Sequence, residues 1–150
     1  MYRVDEIEDA ILAVLRADAA LASYVKAFEP ISVLDEGALR KVLRQFPAIG
    51  IISVEGAYAN SPGRVQLESG LWDVVCFNRN LRSSVASLRG GANSEKGLWD
   101  MIDDCRRALF AGEIGLSISE CLARSRRLLW AGEQWAAASL EVEVRWRNRW

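Results

Sequence analysis

The sequence predicts one α+β domain over residues 1–150, with two main helices packed on a sheet that is mainly antiparallel or mixed. Three observations lead to this fold class. Apolar residues recur at helical spacing in two separate segments, several other segments have the residue pattern of strands, and the last two strands follow one another through a short turn. A chain of 150 residues fits one domain that buries roughly 70% of its extended surface.

The first helix is predicted over residues 5–17. Asp5 is a suitable N-cap, and Glu8 stands three residues later in the reciprocal position of a capping box. The apolar residues that follow at helical spacing are Ile7, Ala10, Ile11, Val14 and Leu15.

The next segments are shorter. Residues 19–23 are predicted to extend the helix or to form a turn, and residues 24–29 to form a short strand that Pro30 ends. Asp35 can cap a second, shorter helix over residues 36–45.

The middle of the chain alternates between strands and breaks. Residues 48–55 are apolar on both faces, which is typical of a central strand covered on both sides. Residues 60–63 favour a turn and residues 67–78 a further strand. A glycine-rich break over 89–94 precedes a helix over 94–111. The predicted buried stripe of that helix is Leu98, Met101, Ile102, Cys105 and Leu109.

Two strands, over residues 120–131 and 134–149, are predicted to end the chain as a hairpin joined at Gly132-Glu133. The last twelve residues alternate strictly, so successive side chains point to opposite faces. One face carries Leu140, Val142, Val144, Trp146, Asn148 and Trp150, and the other carries Glu141, Glu143, Arg145, Arg147 and Arg149.

This terminal strand supplies the candidate subunit contact. Trp146 and Trp150 are interface candidates, with burial in the core as an equal alternative. The arginine ladder could be a solvated face, a contact with a neighbour's acidic first helix, or a lining toward DNA phosphates. The interface candidates are Glu141, Glu143, Arg145, Trp146, Arg147, Arg149 and Trp150, with Glu6, Glu8 and Asp9 as the acids of the neighbour. Deleting residues 146–150 is expected to leave a folded subunit that does not assemble.

Charge polarity is the reason for this pairing. The net charge is −1, but residues 1–20 hold five acidic and two basic residues. Residues 121–150 hold six arginines and three glutamates. Opposite ends of opposite sign favour head-to-tail association.

No catalytic, cofactor or metal site is predicted. The chain has no histidine, which excludes the usual Ser-His-Asp and Cys-His catalysis. Its three cysteines are widely spaced and form no metal-binding motif. The acids Asp100, Asp103 and Asp104 fit the favourable end of a helix dipole better than a metal site. Neither a signal peptide nor a membrane span is evident, so a protein assembled in a reducing cytoplasm is expected.

Several segments together resemble a family of small proteins of Mu-like phages and prophages, encoded between the head-completion genes and the tail sheath gene. The resemblance begins at Ile7-Glu8-Asp9-Ala10. The segments that carry it are residues 7–16, 46–49, 75–82, 98–109 and 128–135. That family is similar in gene position and size to tail terminators, which are α+β proteins that form a six-membered ring on the finished tail tube.

The resemblance implies a structural virion protein of the tail or neck of a contractile-tailed phage, assembled in the bacterial cytoplasm. It implies a ring, expected to be a hexamer, that contacts the tail tube, the sheath and the head–tail connector, with non-specific contact to DNA in the lumen. The alternatives are a head–tail connector or head-completion protein and, with least support, a metal-dependent nuclease. The resemblance brings no catalytic motif, so we expect no enzyme activity.

Overall fold

The strand segments pair into one five-stranded mixed sheet with helices packed on it, as the computed structural model shows. The structure describes residues 2–32, 35–37, 39, 44–79, 84–91, 95–111, 114, 120–132 and 135–149. Its elements are α1 (Val4–Ala17), α2 (Ala19–Ala22), β1 (Ala27–Pro30), β2 (Ala48–Ser61), β3 (Val65–Arg79), α3 (Ser84–Arg89), α4 (Leu98–Ala111), β4 (Glu120–Ala131) and β5 (Trp135–Arg149). The predicted α+β class is confirmed.

The order of the strands across the sheet is β1-β2-β3-β5-β4. Among the described strands, β1 and β2 run parallel, and every other pair is antiparallel. The long hairpin of β2 and β3 turns at Pro62-Gly63-Arg64, where Gly63 has a φ of 81°. The terminal strand β5 lies in the interior of the sheet because β3 and β4 pair with its two edges.

Helix α1 begins one residue earlier than predicted, which changes its cap. The backbone N–H of Arg3 donates to the Glu6 carboxylate at 2.7 Å, and the Glu6 N–H donates to Asp5 at 3.2 Å. Glu6 therefore makes the reciprocal bond that was predicted for Glu8. The helix turns Ile7, Ile11, Leu12 and Leu15 into the core.

Helix α4 confirms the predicted stripe. Its apolar side chains Leu98, Met101, Ile102, Cys105 and Leu109 are all buried. The helix starts at Leu98 and not at residue 94, since the Asp100 carboxylate accepts the N–H of Gly97 at 2.9 Å and caps the first turn.

Several other elements differ from the prediction, and the largest change is in β2, which continues to Ser61 beyond its predicted end at residue 55. Strand β1 starts at Ala27, because the N–H groups of Tyr24 and Val25 bond back to Leu21 and close the turn after α2. The short helix α3 was not predicted, since its six residues are too few to show helical periodicity. In the region predicted as helix 36–45, residues 36, 37 and 39 are helical, and residues 38 and 40–43 lie outside the described part.

The sheet has two halves that differ in how they are covered. In the proximal half, formed by residues 48–52, 72–78 and 135–140, both faces are packed. Helices α1 and α4 cover one face. On the other face, Ile31 and Leu39 pack against strand residues in a smaller cluster. That cluster contains Ile31, Leu39, Ala48, Val75, Phe77 and Ala137. The distal half, formed by residues 54–61, 65–71 and 141–149, continues the same strands toward the tip of the β2–β3 hairpin.

Candidate assembly surface

The distal half of the sheet has a face that no described element covers, opposite the helices; we call it the open face. The strand register assigns its side chains, since directly paired residues point to the same face. Leu67 lies opposite Arg147, and Leu71 opposite Glu143. The members of the open face are Glu55, Ala57, Ala59, Leu67, Ser69, Leu71, Leu122, Arg124, Ser125, Glu141, Glu143, Arg145 and Arg147. Leu67 and Leu122 keep 39% and 42% of their surface exposed.

A buried carboxylate organises the centre of the open face. Glu143 is 7% exposed, and each of its oxygens takes one guanidinium group. Arg124 Nη1 lies 2.5 Å from Oε2, and Arg145 Nε lies 2.7 Å from Oε1. The hydrogen bond from Arg145 and the charge of Arg124 lower the pKa of Glu143 despite its burial. Glu143 is therefore ionised at neutral pH, and the three charges leave one net positive charge.

A second, looser pair lies toward the proximal half, where Arg127 Nη2 is 4.0 Å from the carboxylate of the buried Asp73. In both groups the acids are buried and the arginines are more than half exposed. The open face thus presents exposed arginines to solvent with leucines between them, and its three glutamates balance its three arginines in formal charge. Such a surface suits a partner that offers carboxylates and apolar contacts.

Trp146 does not lie on this surface, contrary to its proposed place in a subunit contact. It is 3% exposed and belongs to the core beneath the helices, with its ring 6.1 Å from that of Trp72. The reason is the position of β5: an interior strand turns its apolar face fully into the packed layer. Trp146 is therefore unavailable as an aromatic anchor on the surface of the subunit.

The remaining interface candidates of β5 fall into three groups. Arg145 and Arg147 are exposed on the open face, whereas Glu141 is half-buried and Glu143 is buried. The backbone of Arg149 pairs with Val65, and its side chain and Trp150 lie outside the described residues. The alternation correctly places Glu141, Glu143, Arg145 and Arg147 on one face of β5. Glu143, however, pairs with Arg145 within the subunit.

The three acids proposed on the neighbour's first helix have different surroundings. Glu6 and Asp9 are both exposed, and the Glu6 carboxylate accepts a hydrogen bond from the Arg3 N–H at the start of α1. Glu8 is half-buried, and this burial raises its pKa. Pairing of these acids with arginines of another copy stays a prediction.

The acids of α4 each have a structural partner or face solvent. Asp104 accepts the Tyr24 hydroxyl at 2.6 Å and pairs with Arg107 at 3.3 Å, and Asp100 caps the helix. Burial and the bond to Asp104 raise the pKa of Tyr24. Asp103 is exposed. Within the described ranges, no group of three or more histidine, cysteine, aspartate or glutamate residues is arranged to hold a metal ion.

The environments of two of the cysteines favour the neutral thiol. The Sγ atoms of Cys76 and Cys105 lie 3.8 Å apart in the core, and this contact together with burial raises the pKa of Cys105 well above its usual value. Burial raises the pKa of Cys121 to about 11. Since a thiolate is the reactive form, neither Cys105 nor Cys121 has the environment of a nucleophile.

A basic pocket at the proximal end was missed by sequence reasoning. It has a volume of about 630 Å³ and is lined by Lys26, Arg44, Gln45, Phe46 and Arg79. The Arg79 guanidinium lies 4.7 Å from the centroid of the Trp135 ring, which Phe46 contacts edge-on. These residues come from separate segments, so no local motif marks them. The pocket could hold an anionic group.

No helix among the described residues is long and apolar enough to cross a membrane.

Comparison with known proteins identifies the family of the chain. No curated protein sequence matches the chain. The profile of the family described as Bacteriophage Mu, Gp37 matches residues 3–150, which is nearly the whole chain. The resemblance to Mu-like phage proteins is thereby confirmed: the protein belongs to the bacteriophage Mu Gp37 family, which indicates a structural, tail-related component of the phage virion.

Proposed function

We propose that the protein is the tail terminator, or neck ring, of a contractile-tailed phage or prophage. Copies of the chain form a ring, expected to be a hexamer, that caps the tail tube and sheath and offers a docking face to the head connector. The protein acts by binding and not by catalysis. The family match over residues 3–150 supplies the phage context of this proposal.

The open face is the observation that carries the proposal. A sheet face that no described element covers, with leucines between exposed arginines, has apolar surface that a partner can bury. The buried Glu143 holds Arg124 and Arg145 in fixed positions, so their charges are preorganised before a partner arrives. Fixed charges around apolar contacts give the register that a docking surface requires.

The chemistry of the interior supports a binding role. The carboxylates of Asp100 and Asp104 are engaged in a helix cap and in side-chain contacts, and Cys105 is held as a thiol. A binding protein needs no free nucleophile or paired general acid and base.

Electron microscopy of particles made without the gene tests the proposal. Loss of a terminator should give tails of uncontrolled length that do not join heads, and the gene supplied in trans should restore both. Tails of normal length that merely fail to join heads would overturn the terminator role and favour a head–tail connector or head-completion protein.

A pair of charge reversals tests the open face itself. Arg147→Glu should impair tail capping, because it reverses an exposed charge on that face. Arg106→Glu reverses the same charge on the exposed side of α4 and serves as the matched control. Equal capping by the two variants would remove the open face from the docking surface.

A further inference from the structure

We infer that the basic pocket at the proximal end of the sheet binds consecutive phosphate groups, carried by a nucleic-acid backbone or by a small polyphosphate. The described residues that line it are Lys26, Arg44, Gln45, Phe46 and Arg79. The inference goes beyond the proposed function, because it concerns a ligand site within one subunit and depends on neither the ring nor the terminator role.

The strand register brings the residues of the pocket together at one end of the sheet. Arg79 is the last residue of β3 and lies opposite Trp135, the first residue of β5. Lys26 directly precedes β1, and residues 44–46 precede β2, the strand that β1 pairs with. The N–H of Lys26 donates to the Pro47 carbonyl at 2.8 Å, which joins these two segments. Four separate segments therefore meet at the pocket.

The positive charge of the pocket is not neutralised by the described part of the chain. Lys26, Arg44 and Arg79 are exposed, and within the described ranges none of them forms an ion pair with a carboxylate. The open face differs in this respect, since Arg124 and Arg145 there share the carboxylate of Glu143. The three cations of the pocket therefore attract an anion without competition from a described acid.

One of these cations is held in place before a ligand arrives. The Arg79 guanidinium lies 4.7 Å from the centroid of the Trp135 ring, and the Phe46 ring meets that ring edge-on with the centroids 4.5 Å apart. A guanidinium held over an aromatic ring keeps N–H groups that can donate to an oxyanion. The arginine is thus ordered in the free protein, which reduces the entropic cost of binding.

The number of donors favours consecutive phosphates over a single carboxylate. At the open face, two guanidinium groups occupy the Glu143 carboxylate, one on each oxygen. The pocket offers four donor side chains, those of Lys26, Arg44, Gln45 and Arg79. Its volume of about 630 Å³ is in the range of sites for small molecules and is large for a single ion. Consecutive phosphates supply oxygens and negative charge for all four donors.

The aromatic residues of the pocket favour recognition of phosphate and not of a base. Arg79 covers one face of the Trp135 ring, and Phe46 meets its edge. Proteins that bind single strands without sequence preference stack the bases on aromatic side chains. We therefore expect binding of nucleic acid that is independent of base sequence and that weakens steeply with salt, because counterions are released from the phosphate backbone.

A double variant with a matched control tests the pocket. Lys26→Gln with Arg44→Gln removes two charges from the pocket, and Arg89→Gln with Arg106→Gln removes two exposed charges from α3 and α4. Two probes are titrated at low salt: inorganic pyrophosphate by calorimetry, and a labelled DNA duplex of mixed sequence by fluorescence anisotropy. Melting curves verify that both double variants are folded.

The pocket variant should bind the probe at least about tenfold more weakly than the wild type, because charge-assisted hydrogen bonds are lost. For DNA, the slope of log Kd against log salt should become shallower by about 2, one for each lost contact. The control variant should bind like the wild type. Tight binding of pyrophosphate alone would identify a small polyphosphate as the source, and salt-dependent binding of DNA would identify the backbone. Wild-type protein that binds neither probe, or equal weakening by the two double variants, would overturn the inference.

A carboxylate polymer distinguishes phosphate from an acidic protein surface. Poly-glutamate should compete poorly with the bound probe. If it binds the wild type as tightly as DNA at the same salt concentration and loses that binding in the pocket variant, the pocket recognises carboxylates and the inference is wrong. Such a result leaves the terminator role intact, because tail length and head joining test that role separately.

Discussion

The two halves of the sheet are made from the same three strands but have different surroundings. In the proximal half, residues 72–78 of β3 are buried without interruption, because helices lie on one face and a second cluster on the other. In the distal half, β5 alternates between buried and exposed residues from Val144 to Asn148, and residues 53–60 of β2 are all exposed. The proximal half contributes to stability through both faces, whereas the distal half contributes through the helix-bearing face and leaves the open face as surface.

This difference shows how one strand can serve both purposes. A strand covered on both faces needs apolar residues at every position, whereas a strand covered on one face needs them at every second position. β5 changes from the first pattern, at Ala136-Ala137-Ala138, to the second along its own length. On the face opposite the helices, substitutions along the strands should therefore change from affecting folding to affecting assembly at the boundary between the halves.

The largest expected effect comes from the buried face of the distal half. Trp146→Ala should lower the free energy of unfolding by ~3–5 kcal/mol through lost burial and a cavity. Deletion of residues 146–150 should destabilise the subunit further, because it also removes the Asn148 side chain that accepts the Tyr2 N–H at 3.1 Å. This replaces the expectation that the truncated subunit folds normally. Urea denaturation measures both, and a fully stable truncation would show that the distal core is dispensable.

Helix α4 provides the next comparison. Ile102→Ala should cost ~2–5 kcal/mol, since Ile102 is fully packed beneath the sheet. Arg106→Ala, on the exposed side, should cost under ~0.5 kcal/mol. Thermal melts of the two variants measure the difference, and similar losses would mean that the exposed side of α4 is also packed.

Glu143 should give a smaller and pH-dependent effect. Its lowered pKa means that its contribution to stability is complete above the usual glutamate pKa and is lost as the pH falls through the lowered value. Glu143→Gln should therefore destabilise the protein at neutral pH and reduce its sensitivity to acid. Denaturation curves across this range test the sign. A variant that loses stability in acid as steeply as the wild type would show that Glu143 is not the responsible group.

The exposed side of the distal half should give the smallest change in stability. Leu67→Ala should lower the free energy of unfolding by ~1 kcal/mol or less, because 39% of Leu67 is already exposed. The same variant should reduce tail capping if the open face docks to a partner. Stability and capping are measured on the same preparation, and a strong loss of stability would place Leu67 in the core.

The local residue pattern predicted the helices and strands, whereas the order of the strands in the sheet determined which of their residues are buried. The stripe of α4 and the alternation of β5 could be identified because helix and strand periods are properties of neighbouring residues. The burial of Trp146 could not, since it depends on β5 lying between β3 and β4, which are separated from each other along the chain. Likewise, the alternation placed Glu143 and Arg145 on one face, but Arg124 joined them only through the register of β4.

The irregularity at Val54 bears on how the hairpin can vary in length. Ser53 pairs with Trp72 and Glu55 with Leu71, so Val54 is an extra residue between consecutive pairs. Deleting Val54 would leave Glu55 opposite Leu71 and every later side chain on its present face. Deleting Gly56 would instead send Ala57 and Tyr58 to the opposite faces, because strand side chains alternate. Insertions and deletions tolerated during the divergence of this hairpin should therefore collect at residue 54.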